Sequence, residues 1–116
     1  MYCFTPYATP ESLKRNADNF NVELVRENVE MCMTEWKITR ANGVYTYTLL
    51  RNDNKYYLVL DKKYEEFMCV FYMLDGDVCI EYGELDGKKL KAASRLKKLS
   101  QITMSMWGLI QSGKID

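Results

Sequence analysis

The dipeptide Asn42-Gly43, set in "WKITRANGVYTYTLL" from Trp36 to Leu50, constrains this chain more than any other feature. A two-residue hairpin turn of type I′ needs positive φ at both central residues, and Asn-Gly tolerates that well. With Ala41 facing Val44, Arg40 falls opposite Tyr45, Ile38 opposite Tyr47 and Trp36 opposite Leu49. On the other side Thr39 meets Thr46 and Lys37 meets Thr48. One face is largely apolar and the other polar, and a slip of one residue would destroy that sorting. The next turn, at Asp53-Asn54, continues the pattern by placing Arg51 against Tyr56, Leu49 against Leu58 and Tyr47 against Leu60. A third hairpin, "FMCVFYMLDGDVCIEY", turns at Asp75-Gly76. It sets Met73 against Val78, Phe71 against Ile80, Cys69 against Tyr82, Tyr72 against Cys79 and Val70 against Glu81. "DKKYEE" at 61–66 reads as a polar connector. An antiparallel meander of about five strands is therefore expected. Its second face, with Leu50, Tyr57, Val59, Val70, Tyr72 and Cys79, is apolar enough to imply that something covers it in part.

Helices are expected on both sides of the meander. Thr9-Pro10-Glu11 is a helix start: Thr9 caps, Pro10 fits the first helical position and Glu11 suits the first turn. A short helix from Pro10 to Asp18 follows, and "NFN" at 19–21 interrupts it. From Val22 the period is again helical, with Val22, Val25, Val29, Cys32 and Met33 on one face and Glu23, Arg26, Glu27, Glu30 and Thr34 opposite. That predicts a second helix through the region of Met31. Near the C-terminus Ala92, Leu96, Leu99, Met106 and Ile110, with Ala93 and Trp107, form one helical stripe. A long helix from the region of Lys88 to that of Ile110 is expected. "QITMSMW" at 101–107 also alternates as a strand would, so the alternative is a helix ending near Ser100 and one more strand. "SGKID" reads as a frayed tail. The N-terminal "MYCFTPYATP" carries Tyr2, Phe4 and Tyr7 around Pro6 and either joins the sheet or anchors a partner or dimer mate. The expected fold is a single α+β domain over 1–116: two N-terminal helices, the meander, and a long basic C-terminal helix packed on the sheet.

Composition removes several function classes. The chain has no histidine, which excludes Ser-His-Asp, Cys-His and histidine acid–base catalysis. The four cysteines, Cys3, Cys32, Cys69 and Cys79, form no C-x-x-C pair, so a zinc site would need all four brought together from scattered positions. Free, mostly buried thiols are expected, and Cys69 and Cys79 should point to opposite faces and stay unbonded. Asp75 and Asp77 flank a turn glycine, but the calcium-loop pattern is absent. No cofactor or metal is expected. No apolar run reaches the roughly 20 residues of a membrane span, and the N-terminus lacks a signal-peptide pattern, so a cytoplasmic location is expected.

The charge pattern supplies the candidate site. Sixteen Lys+Arg balance sixteen Asp+Glu, yet "DGKKLKAASRLKKLSQ" from Asp86 to Gln101 concentrates bases and follows a stretch rich in acids. On a helix Lys88, Lys91, Arg95 and Lys98 lie along one edge beside the apolar stripe. Such an edge is a solvated helix face, a docking edge for an acidic partner or a phosphate-tracking surface. The predominance of Lys over Arg weakens the last. The first expectation for function is a small non-catalytic protein-binding module. It would be an inhibitor or adaptor that occupies a partner's surface through Lys88, Lys91, Arg95, Lys98, Tyr2, Phe4 and Tyr7. Small, neutral, motif-free chains of this kind are common among virus- and phage-encoded host-targeting proteins, an analogy of composition only. A nucleic-acid binder using the basic helix is the alternative, and an enzyme using carboxylates or Tyr is the third reading. Open sheet edges also invite a homodimer.

Overall fold

The three predicted hairpins form a continuous antiparallel ladder. The computed structural model describes residues 2–43, 45–61, 67–85, 88–89 and 93–115, without the side chains of 61, 67, 85, 88–89 and 93–98. In chain order the elements are β1 (Tyr2–Phe4), α1 (Pro10–Asp18), β2 (Phe20–Asn28), β3 (Met33–Arg40), β4 (Thr46–Asn52), β5 (Lys55–Asp61), β6 (Phe67–Leu74), β7 (Asp77–Leu85), β8 (Lys88–Lys89) and α2 (Ala93–Gln111). The sheet runs β1-β7-β6-β5-β4-β3-β2, with β8 pairing β7 off that path.

The expected register holds through β3, β4 and β5. Trp36 faces Leu49, which faces Leu58; Ile38 faces Tyr47, which faces Leu60. In the third hairpin Met73 faces Val78 and Phe71 faces Ile80, but further on Cys69 faces Gly83 and Val70 faces Tyr82. A bulge in β7 is the reason. Glu81 is the extra residue, and it displaces each later pair by one. The turns also divide. Asp75 and Gly76 both have positive φ, as a type I′ turn requires, whereas at Asn42-Gly43 only Gly43 does. The Ala41 N–H donates instead to the Asn19 carbonyl at 2.8 Å, and the Gly43 N–H to Arg40 at 2.7 Å. The first turn is thereby pulled toward β2 while Arg40 still bonds Tyr45.

Four expectations about the fold are overturned. Residues 22–31 are not a second helix; Phe20–Asn28 form an edge strand paired with β3. Among the described residues there are therefore two helices rather than three, and a path of seven strands rather than about five. Lys88 and Lys89 are strand, and the last helix starts at Ala93. Residues 101–107 are helical, as the expected long helix requires, so the alternative of an extra strand after Ser100 fails. The tail is not frayed either. Gly113 has φ +80°, Lys114 and Ile115 N–H both donate to the Leu109 carbonyl, and the Ile115 side chain is buried. That is a glycine helix stop with its accompanying apolar contact.

The core lies between one face of the sheet and α2. Ile38, Leu49, Leu58, Cys69, Phe71, Val78 and Ile80 meet Leu99, Met106 and Leu109, all buried. α1 has the predicted bounds and cap, with the Ser12 N–H donating to Thr9 Oγ1 at 3.2 Å. It lies against α2 at Gly108, where an added Cβ would sit 2.5 Å from Asn16 Nδ2. That close approach lets Asn16 donate to the Ser105 carbonyl at 2.9 Å. Lys114 Nζ donates to the carbonyls of Ala17 (2.6 Å) and Phe20 (2.5 Å). A cation thus meets the carbonyl end of α1, where the helix dipole favours it.

Candidate functional site

The feature that stands out is the outer edge of β2. On its inner side β2 pairs with β3 from Phe20↔Arg40 to Asn28↔Met33; it is the last strand of the path. From Glu23 to Asn28 every residue is exposed. Leu24 is 55% exposed, Val25 50%, Val29 79% and Met31 62%. Elsewhere among the described residues large exposed apolar side chains are scattered singly: Tyr7, Val59 and Leu74. A long edge with apolar side chains and no proline is a template for another strand.

Local chemistry explains how the strand gets there. Val22, Val25 and Val29 are β-branched and suit an extended backbone. Val25 is an extra residue between the pairs Leu24↔Trp36 and Arg26↔Glu35, a bulge that changes which residues share a face. Before it, Val22 and Leu24 lie on the core face with Ile38 and Trp36. After it, Arg26 and Asn28 lie on the opposite face with Glu35 and Met33. Arg26 Nε and Nη2 both donate to Glu35 Oε1, at 3.1 and 2.7 Å. The turn at 29–32 closes with Cys32 at φ +53° and the Met31 N–H on Asn28 Oδ1. Beneath it a shallow depression of about 260 Å³ is lined by Arg26, Met31, Met33, Glu35 and Leu50, among others.

On the opposite side of the sheet the outer side of β7 is covered near both of its ends. β1 pairs with β7 through Tyr2↔Ile80, Cys3↔Cys79 and Phe4↔Val78, and β8 pairs through Glu84↔Lys89 and Leu85↔Lys88. Cys3 and Cys79 form a disulfide with their Cα atoms 4.1 Å apart. The expectation of four free thiols fails for this pair, because a strand far away in sequence lies directly beside β7. Cys69 and Cys79 are unbonded to each other, as their alternation requires. Cys69 is buried against Thr103 at 3.7 Å, and Thr103 itself donates to the Leu99 carbonyl. Burial pushes this thiol up to about 11, the state of an inert packed cysteine rather than a nucleophile.

The residues singled out from sequence are dispersed. Tyr2 and Phe4 pack against the core from β1, their rings 6.0 Å apart, and Tyr7 is exposed in the following loop. Lys88 lies in β8, and Arg95 and Lys98 lie in α2; Lys91 falls outside the described residues. Several described acids of the third hairpin have polar partners outside the basic segment, although Glu84 also lies opposite Lys89 in the β7–β8 pair. Glu81 accepts from Lys55 at 3.0 Å, Glu84 from the Tyr82 hydroxyl at 2.8 Å and Asp77 from Thr5 at 2.6 Å. Glu81 raises the Lys55 pKa and Glu84 raises that of Tyr82, chiefly through these hydrogen bonds. The β2 edge was missed because its apolar residues were assigned to the buried stripe of a helix. Among the described residues no group of His, Cys, Asp or Glu could hold a metal ion, and no helix is long and apolar enough to cross a membrane. Comparison of the chain with protein-family models, curated proteins and solved structures gives no match.

Proposed function

We propose that this chain is a non-catalytic protein-binding module, an inhibitor or adaptor, that engages its partner by strand addition at β2. The observation that supports this reading is the open β2 edge, whose Leu24, Val25 and Val29 are exposed beside it. Strand addition takes affinity from backbone hydrogen bonds and specificity from alternate side chains. The partner groups first sought in the basic segment and the N-terminal aromatics move to a secondary role, with Tyr7 the exposed ring among them. The cytoplasmic setting expected from sequence is in tension with Cys3–Cys79, since such bonds persist mainly in oxidising compartments.

The test is affinity capture with the wild-type chain and a Leu24→Lys/Val29→Glu variant, each with and without nuclease. Both positions are exposed, so the variant should keep its fold. A protein retained by the wild type, insensitive to nuclease and lost with the variant is the expected result. Equal retention by both chains rules the edge out, and loss of all capture under nuclease favours the nucleic-acid reading.

A further inference from the structure

We propose that the partner strand at β2 is β2 of a second copy, paired antiparallel across a two-fold axis that passes between Leu24 and Val25. This rests on the reading of β2 as a docking edge: the second copy covers that edge reversibly when no target strand does. Three observations select that arrangement.

The first is the bulge. Asn21 and Glu23 precede it and lie on the outer face, away from the core; Arg26 and Asn28 follow it and lie on the same outer face. An axis between Leu24 and Val25 sets Glu23 opposite Arg26, Asn21 opposite Asn28 and Val22 opposite Glu27 of the second copy. Each facing pair then shares a face of the joined sheet. An axis through Leu24 would instead set Val22, on the core face, opposite Arg26 on the other face. Directly opposed residues in an antiparallel pair must point the same way, so the bulge excludes that register. A bulge ordinarily spoils an edge for pairing. On a dyad it does not, because both copies contribute the same extra residue at the same place.

Charge is the second. The chosen register faces Glu23 with Arg26 twice, once on each side of the axis, and opposite charges directly across a strand pair stabilise it. Arg26 remains available although it bonds Glu35: its side chain is 77% exposed, against 17% for Glu35. Its two hydrogen bonds go to a single carboxylate oxygen, and a guanidinium has five donors. The formal net charge of the chain is +0, so two copies approach without net repulsion.

The third is the apolar content at the centre and ends. Leu24, 55% exposed, meets Val25 of the second copy, and Val29, 79% exposed, sits in the turn just past the end of the paired segment. A single strand pair is a small interface, so the dimer should be reversible, with a Kd on the order of 1–100 µM.

Light scattering and sedimentation across a concentration series, on the intact chain, test this. The wild type should shift from monomer to dimer. Glu23→Arg and Arg26→Glu, each alone, set like charges across the axis and should weaken self-association at least tenfold. An equimolar mixture of the two variants sets opposite charges at both related positions and should restore a heterodimer; misfolding of either variant would not allow that rescue. A wild type monomeric to about 1 mM, or a dimer indifferent to both substitutions, overturns the proposal. If self-pairing fails while the Leu24→Lys/Val29→Glu variant still loses a different protein, the edge reading stands and only its occupant changes. If that variant loses nothing as well, both fall.

Discussion

The two edges of the sheet are treated in opposite ways. At β7 the outer side is occupied twice, by β1 near its start and by β8 near its end, and Cys3–Cys79 fixes the first of these covalently. At β2 the outer side carries exposed Leu24 and Val25 and leads into a turn with exposed Val29 and Met31. The β7 side also lies under the helical roof, since α2 packs against β7 itself. The open edge is tied to the body by its ladder with β3, and at its start by the Lys114 contact and the Asn19–Ala41 hydrogen bond. One flank is thus built for stability, and the other is left to bind.

The difference can be broken most sharply at the disulfide. Cys3 is exposed, so Cys3→Ala removes the bond with little packing loss. With the cysteines 76 positions apart in sequence, urea unfolding should show a loss of about 3–5 kcal/mol. A loss below about 0.5 kcal/mol would mean that β1 closes the edge without stabilising it. Next comes the buried thiol beneath the roof. The folded-state pKa of Cys69 is about 11, above its ordinary value of 9.0, so burial of the neutral thiol favours the native state below pH 9. That contribution is lost between about pH 9 and 11, by roughly 2–3 kcal/mol. Stability should therefore fall less from pH 8 to pH 11 in Cys69→Ala than in the wild type, and equal falls would contradict it.

Smaller effects are expected where the open flank is held. Lys114→Met removes the cation from the Ala17 and Phe20 carbonyls and should cost about 1–2 kcal/mol, with faster amide exchange at the start of β2. Gly108→Ala pushes the end of the Asn16 side chain off the Ser105 carbonyl, a loss of about 0.5–1.5 kcal/mol. Alanine's helix preference largely offsets that loss, so the net change should stay within about 1 kcal/mol, read from the urea midpoint at unchanged slope. Smallest of all is Leu24→Lys. On an exposed edge it should change stability by no more than about 0.5 kcal/mol while removing association. A large loss of stability there would show that β2 is part of the structural frame, and the contrast between edges would collapse.

How far the sequence could be read follows from where the strand period is regular. From Trp36 to Leu60 alternation is unbroken, and the pairs Trp36↔Leu49↔Leu58 were legible in full. The third hairpin was legible up to Ile80, where the Glu81 bulge displaced the rest. β2 was misread for the same physical reason in stronger form. Its bulge at Val25 breaks alternation, and Val22, Val25 and Val29 then fall at helical spacing. The interaction surface was lost with it, since side chains assigned to a buried helix face could not also be seen as exposed. Cys3–Cys79 joins strands far apart in the chain, and alternation within one hairpin carries no information about that neighbour. The cap on α1 was legible because every part of it lies within four residues, from Thr9 to Ser12.

The bond between Cys3 and Cys79 has a topological effect as well. Helix α1 and strands β2 to β6 all lie between those two cysteines, inside one covalent ring. A single peptide-bond cut anywhere in that ring, including one in the 62–66 connector, leaves the two pieces joined. Nicked molecules would keep their full mass on a non-reducing gel and separate into two fragments only when reductant is added.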